Sequence, residues 1–205
     1  TLDPVNPPLI SGDPDIAPVQ YTLLPYPKLP SPPPAGCFVD RTYSGSTTVT
    51  LPGSVNPANP TIYCAQNFTV QNGATVTTSG YVALLLTGDL TITNNATMGN
   101  ADPAKQTELI VLMTKLADDA TVNLGSAIGS TQVYGALYAP ARGNAIVLTG
   151  NTTVYGAVTA RAGVQVSGNS RIHYNVAWQQ RQNDFDLGSA VKILTWRNRG
   201  TVAAP

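Results

Sequence analysis

Residues 133–175 read VYGALYAPARGNAIVLTGNTTVYGAVTARAGVQVSGNSRIHYN, one phrase stated twice and begun a third time. VYGA at Val133–Ala136 returns at Val154–Ala157, 21 residues on, and TGN at Thr149–Asn151 returns as SGN at Ser167–Asn169 after 18. Upstream, FTVQNGATV (Phe68–Val76) aligns without gaps on LTITNNATM (Leu90–Met98), 22 residues later. A repeat this short, β-branched and punctuated by Gly and Asn fits no helical repeat. It also lacks the leucine ladder of leucine-rich repeats. What fits is an all-β, single-stranded parallel β-solenoid, in which each repeat is one rung of two or three short strands.

In such a stack equivalent residues lie about 4.8 Å apart. Val133, Val154 and Ile172 are then expected to form one inward aliphatic ladder, and Leu148 and Val166 another. Gly-Asn pairs fall at corners, where positive φ is tolerated and Asn amides can stack. Residues 46–176 give about six rungs, or about 30 Å of solenoid, expected to be right-handed from the usual chirality of parallel crossovers.

Composition agrees. The 205 residues carry 11% charged side chains, 18 Gly and 17 Pro, a mix poor in helix formers and rich in turn and strand residues. Eleven of the prolines lie in residues 1–34. Proline fixes φ and removes a donor, so residues 1–36 read as a linker or a strap over a neighbouring surface. Residues 37–176 form the solenoid. Residues 177–205 carry Trp178, Phe185 and Trp196 and read as a C-terminal cap ending in the strand VKILTW.

Cys37 and Cys64 have no CxxC or His companion, which excludes a zinc pattern. In an oxidising compartment they would pair and staple the first rungs, contributing roughly 3–4 kcal/mol; the alternative is two buried thiols. The chain begins at Thr1, and its apolar run LIVLM (Leu109–Met113) is too short to span a bilayer. It reads as a fragment with any signal or anchor removed, and without membrane contact of its own.

The runs TIYCAQNFTVQNGATVTTSGYVALLLTGDLTITNNATM, YGALYAP, LTGNTTVYGAV, VQVSGNSRIHYN and KILTWRN resemble a bacterial family. That family comprises the large PilX-like pilus-assembly proteins and minor pilins with a β-solenoid head. The resemblance covers roughly residues 60–199 and rests on repeat phrasing, not on a catalytic motif. It implies an extracellular head at the cell surface, part of a type IV pilus-associated subunit, with other pilus subunits as partners. Work in surface recognition or cell adhesion follows from it. By analogy with minor pilins tied to natural transformation, it also implies a DNA-binding head as an alternative.

Catalysis would need clustered carboxylates, as in polysaccharide-active β-helix enzymes, the second alternative. Residues 121–176 contain no Asp or Glu, and the pair Asp118–Asp119 reads as a solvated turn or a weak cation site. His173 continues an aromatic position, Tyr134–Tyr155–His173, with no catalytic or metal-ligand spacing around it. No enzyme activity, cofactor or metal is expected.

Two binding readings remain. Charge is uneven: residues 1–120 hold four cations against nine anions, and residues 121–205 hold seven against two. Arg142 and Arg161 are expected on one edge of adjacent rungs, with Arg171, Arg181, Lys192, Arg197 and Arg199 on or near the cap. These could track phosphates, Tyr138 and Tyr155 adding stacking, or could be scattered solubilising charge. The extra residues of YAPARGNA are expected to bulge outward and carry Tyr138 and Arg142 outside the stack. The second reading uses hydroxyl faces. Thr75-Val-Thr77 and Thr91-Ile-Thr93 suggest a carbohydrate or host-surface adhesin; the regular TxT of an ice-binding face is not kept beyond residue 131.

Overall fold

A computed structural model describes residues 35–113, 121–139, 145–160, 163–175 and 177–178. The Pro-rich segment 1–34 and most of the expected cap, with Phe185, Trp196 and VKILTW, lie outside the described residues, as do Asp118 and Asp119.

Among the described residues thirteen strands form one sheet that winds on itself. β1 (Arg41–Ser44), β4 (Phe68–Gln71), β7 (Leu90–Thr93), the start of β10 (Thr121–Ala139), the start of β11 (Ala145–Ala160) and β12 (Val164–Val166) pair in parallel as face A. β2 (Thr48–Pro52), β5 (Thr75–Ser79), β8 (Thr97–Met98), the middle of β10 and β11, and β13 (Arg171–Tyr174) make face B. β3 (Thr61–Ala65), β6 (Val82–Leu86), β9 (Leu109–Met113) and the ends of β10 and β11 make face C. The fold is therefore a three-faced parallel β-solenoid, with six rungs on faces A and B and five on face C among the described residues.

The sequence repeats are the registers. Phe68 pairs with Leu90 and Val76 with Met98, as the gapless alignment requires. Val133 pairs with Val154, and Val154 with Ile172. The stride is not constant, however. Met98 pairs with Val133 across 35 residues, because this turn of the coil includes residues 99–108 and 114–120.

Alternation along each strand sends every second side chain inward, and parallel register stacks like on like. One column runs Tyr43, Val70, Ile92, Leu124, Leu148, Val166; another runs Val49, Val76, Met98, Val133, Val154, Ile172. The middle members are fully buried. Each such side chain contributes about 1.5–3 kcal/mol of burial. Val166 and Ile172 keep the expected register, but at the last rung they are 50% and 39% exposed.

Corners follow residue type. Between faces A and B the turn passes through Gly45, Asn72, Asn94, Gly150 and Gly168, all at φ between 55° and 73°. Here Asn94 Nδ2 donates to Asn72 Oδ1 (3.2 Å), and Asn169 Nδ2 to Asn151 Oδ1 (3.1 Å), giving the expected amide ladder. Between faces B and C, β10 and β11 bend without breaking at Gly135 and Gly156.

Face C differs from the others. In β6 and β9 all five residues are buried, so both sides of the face are apolar. On its outer side Ala83, Leu85, Ile110, Leu112, Ala136 and Tyr138 cluster with Trp178, which is 3% exposed. Trp178, read from the sequence as part of the C-terminal cap, lies against the flank of face C; the rest of that segment is outside the described residues. Asn175, three residues earlier, donates through Nδ2 to Gln106 Oε1 (3.2 Å) in the segment that precedes β9. At the opposite end, the disulfide between Cys37 and Cys64 forms with Cα atoms 4.5 Å apart. Thr87 donates to the Cys37 carbonyl (2.8 Å) and fixes it against the next rung.

Candidate functional site

With face C apolar on its outer side, the outward sides of faces A and B are the polar flats of the molecule. On face A one column runs Thr42, Thr69, Thr91, Asn123, Val147, Gln165. Beside it stands a second, which includes Ser44 and Gln71 on the first two rungs and Thr93, Gly125 and Thr149 on the next three. On face B the column Thr48, Thr75, Thr97, Gln132, Thr153, Arg171 runs the length of the stack. From the second rung to the fifth, none of these outward residues is charged. The two TxT motifs stand on different faces, Thr91 and Thr93 on A, Thr75 and Thr77 on B, so they do not build one array.

The face B corner carries the aromatic position seen in the sequence. Tyr134 stacks on Tyr155 with centroids 4.9 Å apart and planes 9° from parallel. Tyr155 stacks on His173 at 5.0 Å and 12°. The Tyr134 hydroxyl donates to Gln132 Oε1 (2.8 Å). Burial, and after it the neighbouring Tyr155 charge, raise the Tyr134 pKa above the usual tyrosine value. Burial alone raises that of Tyr174.

This geometry changes the roles expected of two tyrosines. Tyr138 is not outside the stack: it is 8% exposed and packs in the face C cluster. Its strand position does point outward, but outward on face C means into an apolar contact. Tyr155 keeps its outward position, yet both faces of its ring are taken by Tyr134 and His173. A base has no open ring face on it to stack against. Of the expected cations only Arg171 is described; it is exposed on β13 at the last rung of face B. Arg142, Arg161, Arg181, Lys192, Arg197 and Arg199 lie outside the described residues. Among the described residues the other cations are Arg41, at the first rung, and Lys105, which pairs with Asp102 at 3.9 Å. The described residues contain no group of three or more His, Cys, Asp or Glu placed to hold a metal ion.

Among the described residues two hollows stand out on the surface. One, of about 230 Å³, opens at the first rung among Tyr43, Leu51, Tyr63, Phe68 and Leu84, where the inward ladders end. The other, about 330 Å³, is a shallow notch on face A bordered by Thr93, Asn94, Asn123, Gly125, Val147 and Thr149. Sequence reasoning missed it. Its signal is Gly125, where the serine, glutamine and threonines of the second column give way to a residue without a side chain.

No curated protein and no solved structure is significantly similar to this chain. Residues 43–181, which take in the described solenoid from the middle of β1 onward, match the family model described as a domain of unknown function, DUF7305, and the chain belongs to that family.

Proposed function

We propose that the chain is a non-enzymatic extracellular β-solenoid head of a type IV pilus-associated subunit, and that it works by surface recognition. The pilus context rests on the resemblance of residues 60–199 to large minor pilins. The disulfide suits an oxidising, extracellular setting. Recognition rests on one observation: faces A and B present flat columns of hydroxyls and amides with no charged side chain from the second rung to the fifth. Such groups both donate and accept, so they match a polar, uncharged surface, and they offer phosphates hydrogen bonds without charge neutralisation.

DNA capture is the weaker reading. Tyr138 and Tyr155 are not available for stacking. The test is adhesion of the purified chain to cells and to a glycan array at low and high salt, beside binding of single- and double-stranded DNA. Retention that is insensitive to salt supports recognition through the neutral faces. Sequence-independent DNA binding that collapses with salt, and is abolished by Arg142→Glu with Arg161→Glu, would replace it.

A further inference from the structure

We infer that the notch at Gly125 is a binding subsite for one sugar unit of a neutral glycan; this deepens the recognition reading and rests on it. The notch lies within the second column of face A, where Gly125 stands in register between Thr93 and Thr149. Two rung spacings separate those threonines, about 9–10 Å, and Gly125 itself places no side chain between them. The Thr149 hydroxyl leans into that space: a Cβ on Gly125 would lie 2.2 Å from its Oγ1. Asn123 and Val147, paired in register in the neighbouring column, form one wall, and Asn94 closes the corner.

This set of groups selects its ligand by chemistry. Threonine hydroxyls and asparagine amides each donate and accept, as sugar hydroxyls do. Threonine is β-branched and stiff at χ1, so little side-chain entropy is lost on binding. Val147, half-buried beside Asn123, offers an apolar patch for the C–H face of a ring. Among the described residues no cation borders the notch. A sialic acid carboxylate or a sulfate would therefore lose water and meet hydrogen-bond donors but no opposite charge, which favours an uncharged sugar. The aromatic stack at the face B corner cannot supply a platform, since its rings cover one another. Affinity for a single unit is accordingly expected on the order of millimolar, multiplied when many heads engage one surface.

The experiment uses the full, oxidised chain, isotope-labelled, titrated with lactose, cellobiose and N,N′-diacetylchitobiose. Amide shifts are mapped onto the fold, and a glycan array is run in parallel. The expected result is shifts centred on Asn94, Asn123, Gly125 and Thr149 with at least one of these sugars or with a neutral array hit. Gly125→Thr, which fills the notch, should weaken binding about tenfold or more, and so should the double variant Thr93→Ala/Thr149→Ala. Thr97→Ala on face B should bind as the parent does. Binding that maps to face B, or survives both notch variants, overturns the subsite and leaves surface recognition standing. Preference for anionic glycans overturns the neutral assignment. Adhesion to cells without any glycan binding also sinks the notch alone, whereas silence in both assays sinks the notch and the recognition reading together.

Discussion

Replacing Gly156 with alanine tests whether neighbouring rungs touch backbone to backbone at the corner between faces B and C. Gly156 has φ +156°, and a Cβ there would lie 1.8 Å from the Gly135 carbonyl oxygen and 2.6 Å from its carbonyl carbon. Neither atom belongs to a flexible side chain, so relief requires the fourth and fifth rungs to separate. The positive φ costs about 1–2 kcal/mol for an L-residue. Forced displacement of packed structure adds about 1–3 kcal/mol. The sum, about 2–5 kcal/mol, is a large share of the 5–15 kcal/mol that domains typically have. Gly73→Ala is the matched control: φ is +83°, but nothing lies within 4 Å of the added carbon. It should lose only the backbone share, about 1–2 kcal/mol. The assay is equilibrium urea unfolding of the oxidised protein by circular dichroism, with m-values compared because stacked repeats can depart from two-state behaviour. If the two variants lose the same stability within about 0.5 kcal/mol, the rungs do not meet as described and the reasoning fails.

Reduction of the disulfide, or Cys37→Ser with Cys64→Ser, removes a cross-link spanning 27 residues. It should cost about 3–4 kcal/mol on the chain-entropy account, read as a lower urea midpoint with a somewhat higher m, because the denatured chain opens further without the cross-link. Tyr134 is more easily ionised unfolded than folded, because its folded pKa is raised. Its contribution is therefore complete below the ordinary tyrosine value near 10.0 and is lost as pH rises through the raised folded value. Thermal midpoints from neutral to alkaline pH should fall less steeply in Tyr134→Phe, which keeps the ring and drops the proton. Tyr155→Ala removes the middle ring of the stack and should cost about 1–3 kcal/mol, two ring contacts' worth, while leaving any DNA affinity unchanged; a loss of DNA binding in that variant would restore Tyr155 as a ligand contact.

The rungs were legible because parallel stacking writes register into sequence. Phe68 pairs with Leu90, and Val133 with Val154, and each pair occupies the same place in a repeated phrase. The corners were legible for the same reason, since φ near 55–73° admits mainly Gly and Asn. The third-to-fourth turn was hidden because added residues stretch its stride to 35. Face C was misread at Tyr138. Alternation tells which way a side chain points, not whether that side meets water. The signal was present in VALLL (Val82–Leu86) and LIVLM (Leu109–Met113), unbroken apolar runs that mark strands buried on both sides. Gly125 was passed over because a glycine in a repeat resembles every other corner glycine until register places it mid-column.

The two ends of this coil are not equivalent under tension. At one end the disulfide locks the segment from Cys37 to Cys64, and no pull can lengthen it while the bond holds. At the other, the last described rung presents Val166 and Ile172 half to water, and among the described residues the hydrogen bond from Asn175 to Gln106 and the packing of Trp178 on face C tie it back to the stack. A chain hauled on from its C-terminal side is expected to lose those ties first and then peel rung by rung. The 18 residues from Val154 to Ile172 would pay out about 60 Å of slack before the next rung gave way. Such a stack is expected to pay out from one end while the other stays fixed, so a load along the chain lengthens it before it breaks the disulfide-locked rungs.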